Sequence, residues 1–115
     1  MKLSYEREMK FFSLDQMTKG WFVGDFEPTS LRTQATEVAV KKYVSGEKED
    51  THLHRVATEI TLILSGEVKM AGHHLVAGDI IVLEPGESTD FIALVDAVTV
   101  VVKVPSVAGD KYPVE

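Results

Sequence analysis

From residue 37 onward the chain runs in short stretches of alternating or wholly apolar residues, punctuated by glycine, proline or charge. Alternation with period two places successive side chains on opposite faces of an extended strand. In the first stretch Val38, Val40 and Val44 share one face, with Ala39, Lys41 and Tyr43 on the other. Ser45 and Gly46 break it, and residues 47–50 read as a charged, solvated loop. Further strands are predicted over 51–54, 58–65, 67–71, 74–76, 80–83, 88–94 and 98–104. Gly72 and His73 suggest a tight hairpin turn, Ala77 to Asp79 and Glu84 to Glu87 two more, and Pro105 a stop. Short strands about ten residues apart, with no helical period, predict an all-β sandwich or barrel.

The flanks are less regular. Residues 1–36 read as an N-terminal arm packed on the barrel, 37–105 as the barrel core, and 106–115 as a loose C-terminal tail, one domain in all. Ser13 is a candidate cap for a short helix over 13–19 that stops at Gly20, although Phe11 and Phe12 also suit an edge strand. Residues 80–83, and 98–102 apart from Thr99, are apolar on both faces. Such strands call for cover on both sides, by the arm or by a second subunit, and a homodimer is expected.

Composition narrows the partners. Eighteen acidic residues against twelve basic give a net charge of −6. That argues against nucleic acid and against an anionic membrane surface. Without cysteine there is no disulfide, no thiolate metal site and no cysteine nucleophile. The first twelve residues carry charges where a signal peptide needs an apolar run, and the later apolar runs are too short to span a bilayer as helices. A cytoplasmic location is expected.

Candidate chemistry concentrates in residues 46–66, which hold His52, His54 and Glu59 between two glycines. Residues i and i+2 on a strand face the same way, about 7 Å apart, so two imidazoles can converge on one ion. Glu59 lies five positions after His54, an odd number, and joins them only if the chain turns at residues 55–57. Two neighbouring strands are therefore expected to supply the ligands. Two imidazoles and a carboxylate leave coordination positions open for water or substrate.

The spacing is fuller than a bare His-x-His. Gly46, five residues, His52, one residue, His54, four residues, Glu59, six residues and Gly66 reproduce the first motif of the cupins. Over residues 38–104 the chain resembles a small single-domain cupin of the conserved-barrel type. The resemblance implies a double-stranded β-helix, the jelly-roll barrel, with ligands pointing inward. The second cupin motif is altered. Gly78, Asp79, Pro85 and Gly86 are recognisable, but Glu84 stands where a proline is expected, Thr89 where the family places a histidine ligand, and Ala93 in place of asparagine. The implied site is one divalent ion (iron, manganese, zinc or nickel) on His52, His54 and Glu59, with Glu59 also a candidate acid or base.

Parity assigns the remaining pocket candidates. Thr61 and Ile63 share the parity of Glu59, and Phe91 that of Thr89. If the face of Tyr43 and Lys41 is inward, they supply a proton donor and an anion contact, although a solvated surface site is the simpler expectation for Lys41. Arg55 is expected to be exposed, Trp21 and Phe22 to pack the arm, and His73 and His74 to be solvated at their turn. By resemblance the leading activity is metal-dependent isomerase- or epimerase-like chemistry on a carbohydrate or sugar derivative. An iron-dependent dioxygenase is an alternative. So is a non-catalytic ligand-binding or regulatory module, for which a chain this short would need a separate output partner.

Overall fold

The computed structural model describes residues 8–115; the first seven residues of the expected arm lie outside them. Among these residues ten strands follow a single-turn 3-10 helix, Leu14–Gln16, and a tight turn, Thr18–Gly20, in which Lys19 is left-handed (φ 52°). Ser13 and Gln16 form a reciprocal capping box on the first turn, as expected of Ser13, but the helix extends no further. In Gly20 a Cβ would sit 1.9 Å from the Val40 carbonyl oxygen, so only glycine lets the arm approach the barrel there.

The strands are β1 (Trp21–Val23), β2 (Glu37–Tyr43), β3 (Lys48–Leu53), β4 (Thr58–Ser65), β5 (Glu67–Met70), β6 (His73–Val76), β7 (Ile80–Leu83), β8 (Ser88–Ala93), β9 (Ala97–Val104) and β10 (Tyr112–Pro113). They form two five-stranded antiparallel sheets, β1-β2-β9-β4-β7 and β10-β3-β8-β5-β6, packed as a jelly roll. The all-β barrel expected from the strand spacing is therefore present. The β5–β6 hairpin turns one residue earlier than expected, at Ala71 and Gly72. Both have positive φ (48° and 78°), the backbone that matches strand twist in a two-residue hairpin.

Three local expectations change. The charged stretch at residues 47–50 is not a free loop: it supplies the first half of β3, with Glu49 paired to Phe91 of β8. The tail is not loose. Its Tyr112 and Pro113 pair with Leu53 and His52, adding an edge strand to β3. The outer face of β7 is not covered within the described chain, where Ile80 is 62% and Val82 49% exposed. The arm instead pairs β1 with β2 and lies beside Val40, so it reaches the opposite edge of that sheet.

The interior divides along the barrel. At one end Ile63, Leu83 and Ala97 of one sheet meet Val68, Met70, Phe91 and Ala93 of the other in a continuous apolar core. Each large aliphatic chain buried there is worth about 2–3 kcal/mol. At the other end the inward positions turn polar. Along β4 the alternation carries Glu59, Thr61 and Ile63 inward in sequence, from the polar end to the apolar one.

Candidate metal centre

The polar end encloses a cavity of about 40 Å3. His52, His54, Glu59, Thr61, Thr89, Phe91 and Tyr43 all line it. Ile63 does not: it is fully buried in the apolar core beyond Thr61, one inward position too deep. The two histidines face the same space, their ring centroids 5.5 Å apart and nearly edge to face. Glu59 arrives from β4. That strand follows β3 in the chain but belongs to the other sheet, so the donor set bridges the two sheets and does not come from hydrogen-bonded neighbours.

Each imidazole is anchored through the nitrogen that faces away from the cavity. His52 Nδ1 donates to the Asp50 carbonyl at 2.9 Å, and His54 Nδ1 donates to the carbonyl of Asp110. A carbonyl only accepts, so both rings carry their proton on Nδ1 and turn Nε2 inward. His54 Nε2 lies 3.4 Å from Glu59 Oε1. It is fully buried and aligned with no hydrogen-bond acceptor. The contact becomes an ion pair when the ring is doubly protonated, and it is not a well-formed hydrogen bond. The carboxylate raises the His54 pKa above its ordinary value, against a smaller opposing effect of burial. Burial pushes Glu59 the other way, but its histidine neighbour and Lys103 hold it below the usual carboxylate value.

Asp110 went unnoticed in the sequence and holds the site from behind. Its carboxylate accepts the backbone N–H groups of Arg55 (2.9 Å), Val56 (3.1 Å) and Ala57 (2.9 Å). These are the turn residues between His54 and Glu59, so one side chain sets the bend that brings the donors together. The three N–H groups counter the effect of burial and keep the Asp110 pKa low. A bent turn has N–H groups that need an acceptor, but nothing in the sequence says which distant residue provides it.

Thr89 sits directly across from His52 in the β3–β8 register. Its hydroxyl donates to the Asp90 carbonyl at 2.6 Å, which leaves the oxygen free to accept from within the cavity. Tyr43 packs its ring on Phe91, centroids 4.3 Å apart. Burial, helped by the charges of Glu49, Glu59 and Glu47, raises its pKa far enough to keep the phenol protonated. Lys41 is not a solvated surface residue. Its side chain is 19% exposed, faces the cavity, and pairs with Glu49 at 3.7 Å. The valine face of β2 is the outward one, because the arm covers Val40 from outside.

Trp21 packs the arm as expected and also walls the cavity. Arg55 is exposed and stacks over Tyr112, 4.0 Å from its centroid. His73 and His74 are exposed; His74 Nε2 meets Glu67 at 3.0 Å, and neither histidine lines the cavity. Lys103 and Lys111 do line it. Lys103 shares the parity of buried Thr99 and Val101, a signal present in the sequence; Lys111 has no such signal.

Two nitrogen donors with fixed tautomers, a buried carboxylate and a buried Nε2 without a hydrogen-bond partner fit a divalent ion in kind. The fit is in kind and not in placement: among the described residues no three His, Cys, Asp or Glu side chains stand close enough together to hold a metal ion.

No protein-family model and no curated protein matches the sequence. Solved structures match in shape. An uncharacterized conserved protein with a double-stranded β-helix domain from Klebsiella pneumoniae aligns over 100% of this chain and 99% of its own, with TM-score 0.69 and 24% identity. A cupin protein from Bacteroides fragilis aligns over 67% of this chain and 70% of its own, with TM-score 0.55 and 25% identity. The chain folds as a cupin. A sugar phosphate isomerase of the cupin superfamily from Silicibacter pomeroyi aligns over 63% of this cupin and 52% of its own length, with TM-score 0.59 and 20% identity. No helix among the described residues is long and apolar enough to cross a membrane.

Proposed function

We propose that this cupin binds one divalent metal ion through His52, His54 and Glu59 and acts on a small polar ligand, with isomerase- or epimerase-like proton transfer on a sugar derivative as the leading chemistry. The carrying observation is the paired anchoring of both imidazoles through Nδ1, which leaves Nε2 of His54 buried beside Glu59 without a hydrogen-bond acceptor. Bound there, the ion would supply Lewis-acid polarisation of a carbonyl or hydroxyl oxygen. Thr61 and Thr89 line the cavity and offer hydroxyls that orient a polar ligand. Tyr43, held protonated, is a proton donor at the cavity wall. Phe91 and Met70 form an apolar floor that keeps bulk water from the far side.

Elemental analysis of the purified protein tests this reading. About one divalent ion per chain is expected, falling to trace levels in His52→Ala and His54→Ala. Absence of metal, with no thermal stabilisation on adding manganese, iron, nickel or zinc salts, would sink it.

The small enclosed volume favours a second reading, a binding module without turnover. Metal-loaded protein that binds sugar derivatives, yet returns them unchanged and shows no isotope exchange with solvent, would decide for that reading. A cytoplasmic, homodimeric state is part of the proposal. The exposed Leu64, Ile80 and Val82 on the outer sheet face supply an apolar surface for a second copy. Sedimentation should show a dimer that Ile80→Asp converts to monomer; a wild-type monomer at micromolar concentration would refute it.

A further inference from the structure

Three lysines from distant parts of the chain converge on the cavity that holds the donor set. Lys41 comes from β2, Lys103 from β9, and Lys111 from the segment before β10. Lys41 and Lys103 flank the same indole: their Nζ atoms lie 5.3 Å and 4.8 Å from the Trp21 ring centroid. Only Lys41 has an anionic partner, Glu49 at 3.7 Å; among the described residues Lys103 and Lys111 make no ion pair. In a chain of net charge −6, a cavity lining with more lysines than carboxylates departs from the overall balance. Glu49 and Glu59 are the carboxylates lining the same cavity, so the lysines outnumber them. A divalent ion on the donor set would add to the excess.

Where like charges are gathered in excess of their counter-charges, they repel and disfavour the folded state. Lys41 registers this: burial lowers its pKa, Glu49 opposes, and Lys111 and Lys103 lower it further. The three lysines also line a neighbouring surface groove of about 400 Å3, shared with Trp21, with a fourth lysine, Lys19, and with the carboxylates of Glu27, Glu37 and Glu49. The inner cavity, about 40 Å3, has room for only a few water-sized groups. A ligand larger than that must reach inward with one end and lie in the groove with the rest. The lysines stand where the two spaces meet.

We propose that Lys41, Lys103 and Lys111 form an anion-binding rim that grips the carboxylate or phosphate of a small ligand whose other, polar end reaches His52, His54 and Glu59. This rests on the metal-site reading for the inner end of the ligand, but the rim itself is defined by the lysines and Trp21. Lysine ammonium groups bind either anion as point charges, so the shared chemistry is a compact negative group. Glu49 pairs with Lys41 at 3.7 Å and fixes its place in the rim.

Trp21 is the sole tryptophan of the chain and therefore a built-in reporter. The full chain is titrated at constant ionic strength with malonate, inorganic phosphate, glucuronate, glucose 6-phosphate and neutral glucose, following indole fluorescence. Each series is run with manganese and after chelation, with bound metal quantified in parallel. Saturable binding of at least one anion and none of glucose is expected. The malonate and glucuronate arms against the two phosphate arms then tell a carboxylate site from a phosphate site. Removing one charge-assisted contact should weaken that binding by about tenfold or more in Lys103→Met and in Lys111→Gln. Lys111 is exposed, so its variant tests the rim even if the strand variant folds poorly. Failure of every anion to bind saturably, or unchanged affinity in folded Lys111→Gln and Lys103→Met, overturns the rim. Absence of bound metal in the manganese series, with anion affinity intact, overturns the metal reading and leaves the rim standing.

Discussion

Replacing Asp110 by alanine isolates the element that shapes the site without touching a donor. The carboxylate accepts three consecutive backbone N–H groups, those of Arg55, Val56 and Ala57, at 2.9, 3.1 and 2.9 Å. Ala57 is 2% exposed, so its N–H has no ready replacement from water. A hydrogen bond to a charged group contributes roughly 1.5–3 kcal/mol, and leaving a buried donor unsatisfied costs about 1–3 kcal/mol. The three bonds share one carboxylate and do not add, so a loss of about 2–4 kcal/mol is expected at pH 7. With a urea dependence of about 1–3 kcal/mol per molar, the midpoint should fall by roughly 1–2 M. Metal affinity should fall too, by about 10- to 100-fold as for other outer partners of ligating histidines, because the turn and the His54 anchor loosen together. The pH dependence has a definite sign. The folded pKa of Asp110 is depressed, so its contribution is present above the unfolded value of about 3.9 and is lost as pH falls through the lower folded value. The stability gap between wild type and Asp110→Ala should therefore close in acid. A variant within about 0.5 kcal/mol of wild type at pH 7, or one with unaltered metal affinity, would refute the assignment of the turn to this side chain.

Other perturbations separate further parts of the argument. In Gly66→Ala the new Cβ would lie 2.3 Å from the Asp96 carbonyl oxygen at φ +86°, whereas Gly46→Ala at φ +91° meets nothing within 4 Å. Thermal melts should show Gly66→Ala losing more than about 3 kcal/mol and Gly46→Ala only about 1 kcal/mol; equal losses would contradict the packing. Tyr43→Phe should abolish the most alkaline step of the tyrosinate absorbance titration and slow any turnover with metal content unchanged, and retention of that step would reassign it. The raised His54 pKa makes protons compete with metal: in the metal-free protein the contact with Glu59 contributes below the unfolded histidine value and is lost as pH rises through the folded one. The thermal gain on adding metal should shrink from about pH 8 to about pH 5, and a gain independent of pH would argue against imidazole ligands.

The sequence alone determined what is local. His52, His54 and Glu59 are legible because their spacing, read with period-two geometry, demands a turn at residues 55–57, and that turn is present. The strand order in sequence, the threonine at position 89 and the cap at Ser13 were legible for the same reason: each rests on residues a few positions apart. Only the tertiary structure decided which face of β2 looks inward. Both faces carry apolar residues, so periodicity says that Lys41 and Tyr43 travel together but not that the arm covers the valines and turns the lysine into the cavity. It also decided that the donors bridge opposite sheets, that Ile63 lies beyond the cavity, and that a tail with the composition of a loop returns to pair with β3. Lys103, Lys111 and Asp110 reach the site from some 50 residues away along the chain. Such encounters are fixed by which strands share hydrogen bonds, and a linear pattern of hydrophobic and polar positions carries each strand's faces without its neighbours.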